Sequence, residues 1–327
     1  MAQAPGPASP VVALVGPTGS GKSAIALEAA QALAPQVELV AVDAFTVYRR
    51  MDVGTDKPGP GARARVPHHG IDLLDPSEEC SVAWFQQQAR TAIDAIHRRG
   101  RVPLLVGGSG LYFRAVVDPL AFPPTDPDVR ERVHAEVGGQ ARRAHERLQR
   151  VDPDAAARID PDNLRRSVRA LEVHALTGQP FSAWRTAWER YESRYDDLVV
   201  IGLHRAPEDL AAAIASRVRG MLAAGLVAEA RALALRPVGL STTARQAIGY
   251  AEALAAVARR PGTADEEGLV ETIARRTRRF AARQRRWFRR DPRVRWEGGD
   301  DAARAVRTAL ERAVRAGQAP SQDPASP

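Results

Sequence analysis

Eight residues near the amino end have the spacing G-x-x-x-x-G-K-S. The apolar run 11–15 ahead of them is typical of a buried parallel strand, and residues 24–33 behind them favour a helix. Strand, loop and helix form the context in which this motif binds phosphate, because the glycines let successive backbone N–H groups converge on phosphate oxygens. A di- or triphosphate site is therefore predicted at Gly16, Pro17, Thr18, Gly19, Ser20, Gly21, Lys22 and Ser23. Lys22 is expected to reach the terminal phosphates and the Ser23 hydroxyl to hold Mg²⁺.

Two further polar segments follow predicted strands. Asp43 comes directly after the apolar run 37–42, and Gly107–Gly110 follows the run 102–106. Since ligands of parallel sheets lie at the carboxyl ends of the strands, both segments should face the phosphate loop. Asp43 there is a candidate base or Mg²⁺ ligand, although an Asp in this position is also a common turn or cap residue. The glycines indicate close approach of a ligand or a tight turn, and they disfavour an ATPase with its acidic residue on that strand.

Alternating strands and helices predict an α/β fold with a P-loop NTPase-like parallel sheet flanked by helices. Between residues 127 and 193 the sequence pattern is helical, with predicted helices over 128–150, 153–159 and 162–177. This pattern predicts an inserted helical domain. The core is assigned to 11–126 and 194–316, with later helices over 207–235, 242–259 and 264–290. Residues 1–10 and 317–327, rich in Ala, Pro and Gly, are expected to be disordered.

Composition limits the function classes. The 327 residues are 44% hydrophobic and 26% charged, with no apolar run near the roughly 20 residues of a membrane helix. The amino end lacks the basic start and apolar stretch of a signal peptide. Cys80 is the single cysteine, which excludes an internal disulfide and a cysteine-rich zinc site. We therefore expect a cytoplasmic enzyme without membrane contact.

The basic residues point to a polyanionic partner. The formal net charge is +8, and residues 275–295 contain eleven arginines interleaved with Phe280, Trp287 and Phe288. Such a pattern can hold phosphates and stack on bases, and it can equally be the solvated face of a helix with core aromatics; with the charge it favours nucleic acid. A second charged helix carries Arg165, Arg166 and Arg169, with the same two interpretations. His68 and His69 are assigned to a structural loop.

Taken in order, these motifs resemble the tRNA dimethylallyltransferase (tRNA isopentenyltransferase) family. The similarity runs from Gly16 to about Arg290. It covers the phosphate loop and seven further blocks, namely 42–48, 51–58, 68–72, 103–112, 169–173, 246–250 and 283–289. The chain departs from the family pattern at Ala44, Phe45, Thr46 and Ala251.

The resemblance implies transfer of a dimethylallyl group from dimethylallyl diphosphate to N6 of adenosine-37 beside the anticodon of tRNA, with Mg²⁺ assisting and diphosphate leaving. Asp43 would take the amine proton, and Thr18 and Arg217 would act with it in catalysis. The implied tRNA-binding residues are Asp43, Ala44, Phe45, Thr46, Ser109, Arg130, Arg165, Arg166, Arg169, Gln246, Gly249, Tyr250, Arg283, Gln284, Arg286 and Arg289. The partner is the anticodon stem-loop, and we expect a monomer.

Three alternatives stay open from the sequence. An adenylate dimethylallyltransferase would use a free nucleotide, which needs neither the helical insertion nor the arginine–aromatic stretch. A P-loop kinase or ATP-driven nucleic-acid binder would bind ATP tightly and carry an acidic residue in the Walker-B position. A non-enzymatic RNA-binding module would use the phosphate loop only to anchor the RNA backbone, a role that does not require the Lys22-Ser23 pair.

Overall fold

The core of the protein is a six-stranded parallel sheet with the strand order β3-β2-β4-β1-β5-β6. The computed structural model describes residues 10–185, 188, 190–259 and 266–318. The strands are β1 (Val11–Val15), β2 (Val37–Val42), β3 (His68–His69), β4 (Val102–Gly107), β5 (Leu198–His204) and β6 (Val294–Gly298). The predicted fold class, an α/β phosphate-loop core built on a parallel sheet, is thereby confirmed.

Helices follow most of the strands. Those before the second half of the sheet are α1 (Lys22–Ala32), α2 (Pro60–Arg65), α3 (Val82–Arg98), α4 (Gly110–Val117), α5 (Pro127–Glu136), α6 (Ala141–Val151), α7 (Pro153–Ala156) and α8 (Leu164–Thr177). The later ones are α9 (Pro207–Ala223), α10 (Leu226–Ala234), α11 (Tyr250–Arg259), α12 (Glu266–Phe288) and α13 (Gly299–Gln318). Short 3₁₀ turns occur at Phe181–Arg185 and Ala244–Gln246.

Side chains of the strands alternate between two cores. In β1, Val11, Ala13 and Val15 enter the larger core, whereas Val12 and Leu14 enter the second one. The larger core is completed by α3, α4 and the helices α9 to α12, and the second by α1 and α13. Because both faces are covered, β1, β4 and β5 are continuous apolar runs rather than alternating ones, and this is what made them recognisable in the sequence.

Glycines interrupt two helices that the sequence predicted as continuous. The stretch 128–150 is broken at Gly138 and Gly139, and the stretch 207–235 is broken at Gly225, all three with positive φ. Such backbone conformations are cheap only for glycine, and they end a helix. The loop prediction for His68 and His69 was also wrong, because these residues form the edge strand β3 beside Leu39 and Val40.

The described chain divides into two compact units. The first comprises the residues up to Asp118 together with those from Ser193 on, and the second is Pro119–Glu192. The sequence-based boundaries of the insertion were 127 and 193. The second unit has its own apolar core, to which Val133, Leu148 and Leu171 belong.

Within the first unit, the two points at which the chain leaves and returns are hydrogen-bonded to each other. The Arg194 N–H donates to the Val117 carbonyl at 2.7 Å. The neighbouring Asp118 is buried and pairs with Arg114 at 2.5 Å and Arg293 at 2.6 Å. Arg90 also donates to the Asp118 carbonyl, at 2.5 Å. The residues at which the chain leaves the first unit and returns to it are thus hydrogen-bonded to each other, next to a buried, ion-paired aspartate.

Most residues of the two terminal segments that were predicted to be disordered lie outside the described residues. Of the segments predicted to be disordered, residues 1–9 and 319–327 lie outside the described residues, whereas Gly317 and Gln318 complete α13. No single helix in the described ranges is long and apolar enough to cross a membrane; α9 and α10 pass that test only as a pair, and they are bent by 62°.

Candidate active site

Three glycines shape the phosphate loop. Gly16, Gly19 and Gly21 have φ angles of 155°, 81° and 99°. A Cβ on Gly19 would lie 2.8 Å from Cγ1 of Ile214, and one on Gly16 would lie 3.0 Å from the Leu203 carbonyl oxygen. The loop therefore turns tightly against α9 and β5 and delivers the chain into α1, which begins at Lys22. Its backbone N–H groups and the helix start are the parts that can bind an anion.

Lys22 and the serines supply the loop's side-chain chemistry. The Lys22 ammonium donates to the Pro17 carbonyl at 3.2 Å. Burial and the positive charge of Arg217 lower its pKa to about 8, so a bound anion would restore full protonation. The buried Ser20 hydroxyl has no hydrogen-bond partner within the described part of the chain, whereas Ser23 is exposed.

Gln284 connects α12 to the phosphate loop. Its side-chain oxygen accepts a hydrogen bond from the Thr18 N–H at 2.8 Å, and the residue is 5% exposed. A Cβ on Gly108 would lie 2.4 Å from Gln284 Nε2, and one on Gly107 would lie 2.2 Å from the Val42 carbonyl oxygen. Protein neighbours thus leave no room for a side chain at Gly107, the last residue of β4, or at Gly108, and both glycines also line the larger cavity described below.

Asp43 lies beside the loop, at the end of β2. One carboxylate oxygen accepts a hydrogen bond from the Phe45 N–H at 2.8 Å, which is the turn role expected of an Asp in this position. The residue is half-buried and lines both cavities described below. The carboxylate is thus held by the backbone of Phe45, and Asp43 remains part of the cavity wall.

Arg217 joins the loop from α9. Its guanidinium donates to the Thr18 hydroxyl, and its Nε lies 3.0 Å from a carboxylate oxygen of Asp56. Sequence reasoning included Asp56 only as part of a matching block and gave it no role. Neither partner is close to Arg217 in sequence, so no spacing pattern could have shown the contact.

Two adjoining cavities open at this place. The larger, of about 550 Å³, is lined by Thr18, Gly19, Gly21, Lys22 and Ser23 of the phosphate loop, by Asp43 and Arg217, and by Phe280 and Gln284 of α12. The smaller, of about 80 Å³, shares Thr18, Asp43, Arg217 and Phe280 and is otherwise mainly apolar, with Phe45, Met221, Ile248 and Ile273. An anion cradle, a carboxylate and an apolar recess therefore meet at one point.

The donor set fits Mg²⁺ of the kind that a substrate brings with it. No cluster of three or more His, Cys, Asp or Glu side chains occurs in the described ranges, so a cage made of protein ligands alone is not found there. Mg²⁺ commonly takes one or two protein oxygens and completes its shell with phosphates and water. Ser23, exposed at the start of α1 and lining the larger cavity, can supply such an oxygen.

Helix α12 has two faces. Ile273, Thr277, Phe280 and Gln284 point to the cavities, at the spacing of one helix face. Arg275, Arg276, Arg279, Arg283, Arg286, Arg289 and Arg290 are exposed on the helix and just after it. Trp287 packs against Gly110, where a Cβ would lie 1.9 Å from its Cδ1, and it remains 41% exposed. The helix thus has one face towards the cavities and one exposed arginine face, and RNA binding by the exposed face stays a prediction.

The other residues that were predicted to contact RNA differ in how exposed they are. In the first unit, Ala44, Phe45, Thr46 and Ser109 are half-buried, and Gln246 is exposed. Gly249 is buried with φ 105°, and Tyr250 is 1% exposed with its hydroxyl donated to Glu229 at 2.7 Å. The side chain of Tyr250 is therefore not available to RNA in this arrangement.

The second unit contains four of the arginines predicted to bind RNA, and two of them form ion pairs with Glu172. Arg130 Nε and Arg169 NH1 each lie 2.9 Å from the buried carboxylate of Glu172. Arg169 also donates to the carbonyls of Pro123 and Pro124, at 2.9 Å each. Arg165 and Arg166 are exposed in the first turn of α8.

The fold and the site together define an α/β core with a phosphate-loop motif and a carboxylate beside it. A family model described as IPP transferase matches residues 46–291. Proteins named tRNA dimethylallyltransferase are 49% identical in Kineococcus radiotolerans, over 92% of this chain and 96% of that protein, and 50% identical in Salinispora arenicola, over 92% and 88%.

Solved structures agree with this match. The tRNA isopentenylpyrophosphate transferase of Bacillus halodurans has a TM-score of 0.66 and 36% identity, over 94% of this chain and 98% of that one. A eukaryotic dimethylallyltransferase acting on tRNA has a TM-score of 0.77 and 26% identity, over 94% and 78%. The chain belongs to the IPP transferase family.

Proposed function

We propose that this chain transfers a dimethylallyl group from dimethylallyl diphosphate to N6 of adenosine-37 in tRNA. The observation that carries the proposal is the joint lining of one cavity by the phosphate loop, Asp43 and Arg217. Family membership and relatives named for this activity support it.

The diphosphate of the donor occupies the phosphate loop. Backbone N–H groups of the loop, Lys22 and Arg217 are donors or cations placed to bind it and to stabilise the charge that grows as the bond breaks. Mg²⁺ held by Ser23 and the diphosphate, when bound, neutralises part of that charge. The apolar recess beside Asp43 suits the five-carbon group.

The chemical step is a substitution at the allylic carbon. The lone pair of N6 forms the new C–N bond while the C–O bond to diphosphate breaks, and the diphosphate leaves with that electron pair. The exocyclic amine is a weak nucleophile because its lone pair is delocalised, so positioning and a local base both contribute. Asp43 accepts the proton that the amine loses.

RNA is held by the exposed arginines. Those on α12 surround the aromatic residues Phe280 and Trp287, which suits backbone phosphates and stacked bases. Arg165 and Arg166 in the second unit are suited to the phosphates of the anticodon stem. The target base must leave the stack to reach Asp43, as in other enzymes that modify bases. We expect a monomer acting in the cytoplasm.

One assay separates the candidates. The protein is incubated with Mg²⁺ and an anticodon stem-loop, with dimethylallyl diphosphate or ATP, and the RNA is weighed by mass spectrometry. The proposal predicts a gain of one dimethylallyl group with the first donor and no change with ATP. Free AMP as the only acceptor that reacts would indicate the adenylate enzyme, and phosphorylated RNA would indicate a kinase.

A further inference from the structure

The segment Met51–Pro58 forms part of the site wall without being a helix or a strand. Thr55 and Asp56 of this segment line the larger cavity, and Asp56 pairs with Arg217. Two internal turns shape it, because the Asp56 N–H donates to the Val53 carbonyl and the Lys57 N–H to the Asp52 carbonyl, both at 3.1 Å. Asp56 has φ 55°, a conformation that a non-glycine residue keeps only when its surroundings hold it.

A single carboxylate holds the start of this segment. Glu229 of α10 accepts hydrogen bonds from three successive backbone N–H groups, those of Asp52 at 2.8 Å, Val53 at 2.9 Å and Gly54 at 3.1 Å. Three amides converging on one anion form a nest, here with the anion supplied by the protein. The residues that donate lie about 175 positions away in the chain, so the contact fixes a long-range geometry.

Tyr250 completes the arrangement. Its hydroxyl donates to Glu229 at 2.7 Å, and its ring lies against Gly54, where a Cβ would be 2.5 Å from the ring. Burial and the neighbouring Glu229 carboxylate raise the pKa of this hydroxyl, so it stays protonated and remains a donor. The other end of the segment is tied by the Lys57 ammonium, which lies 2.7 Å from Asp72 and 2.9 Å from Asp52.

We propose that Glu229 and Tyr250 are positioning residues for the transfer reaction. They hold the segment 51–58 so that Asp56 orients the guanidinium of Arg217 toward the diphosphate of the donor. The proposal rests on the function proposed above. It assigns Tyr250 a role in donor binding through Glu229, Asp56 and Arg217 instead of a direct contact with RNA.

The test compares donor kinetics with RNA binding. Glu229→Gln replaces a carboxylate oxygen with an NH₂ group that cannot accept from the segment, while Tyr250→Phe keeps all three amide contacts. Asp196→Asn, an exposed carboxylate at the opposite end of the sheet, is the matched control. We expect kcat/KM for dimethylallyl diphosphate to fall about 100-fold in Glu229→Gln, mainly through KM, and less in Tyr250→Phe. The Kd for the stem-loop should change less than about twofold in all three.

A double variant separates positioning from a general loss of structure. In an Arg217→Gln background, Glu229→Gln should reduce kcat/KM further by less than about twofold, because the residue through which it acts is already gone. Full additivity, or a wild-type donor KM in Glu229→Gln, would overturn the proposal. If Glu229→Gln does not fold, Tyr250→Phe decides, and an unchanged donor KM rejects the positioning role. A wild-type protein without transfer activity would instead refute the proposed function itself.

Discussion

The side-chain oxygen of Gln284 lies 2.8 Å from the backbone nitrogen of Thr18, so helix α12 is hydrogen-bonded directly to the phosphate loop. The same helix carries exposed arginines on its other face. One element therefore contacts the donor cradle and presents the surface proposed for RNA.

Replacement of Gln284 by Ala should weaken donor binding more than RNA binding. The Thr18 N–H would lose its acceptor, and the loop would lose the contact that fixes it beside Gly108. We expect KM for dimethylallyl diphosphate to rise about tenfold, the scale of one lost hydrogen bond to a buried group. Steady-state kinetics and a separate measurement of stem-loop Kd check this. An unchanged KM with a weaker stem-loop complex would make Gln284 an RNA contact.

Asp43→Asn tests the proposed base. The Asn side-chain oxygen can still accept the hydrogen bond from the Phe45 N–H, so the turn should persist. Loss of a general base costs typically 10²–10⁴-fold in rate, and we expect kcat to fall within that range with stem-loop binding nearly intact. Single-turnover measurements with saturating donor are the check. Near-normal turnover would remove Asp43 from the base role.

Donor affinity should fall at alkaline pH. The pKa of Lys22 is lowered to about 8, so its charged form, which binds diphosphate, is lost as pH rises through that value. We expect kcat/KM for the donor to decrease above about pH 8. Arg217→Gln removes a positive charge that lowers this pKa, and the decrease should move to higher pH. A profile that is flat to pH 10 in the wild type would contradict the role of Lys22.

The exposed arginines of α12 should govern the salt dependence of RNA binding. Replacing Arg286 and Arg289 with Ala removes two cations, and the slope of log K against log salt should become shallower by about 1.5. Filter binding at several salt concentrations measures this. Arg312 and Arg315, exposed on α13, provide a control pair with the same change in charge. Equal effects of the two pairs would mean that α12 has no specific part in binding.

Much of the architecture was predictable because its signals are local. The strands β1 and β2 match the apolar runs 11–15 and 37–42, and the phosphate loop depends on residues adjacent in sequence. The strand Val294–Gly298 was not predicted, since Arg295 and Glu297 interrupt its apolar pattern at the sheet edge. Edge strands bury less and therefore leave a weaker pattern.

Local sequence signals could not reveal the residues that support the site. Asp56 contacts Arg217 and Glu229 contacts the segment 51–58 across intervals that no periodicity describes. Lys57 lies in the matching block 51–58, but its ion pairs with Asp52 and Asp72 became visible only in three dimensions. Residue type alone also could not distinguish Arg169, which pairs with the buried Glu172, from the exposed Arg165 and Arg166 on the same helix.

The hydrogen bond between Arg194 and Val117 has a consequence for how such a protein can diversify. Since the chain leaves the first unit after α4 and re-enters it before β5 at hydrogen-bonded residues, the inserted segment can change in length without shifting the register of a strand. Evolutionary change in the inserted unit is therefore compatible with an unaltered sheet and phosphate loop.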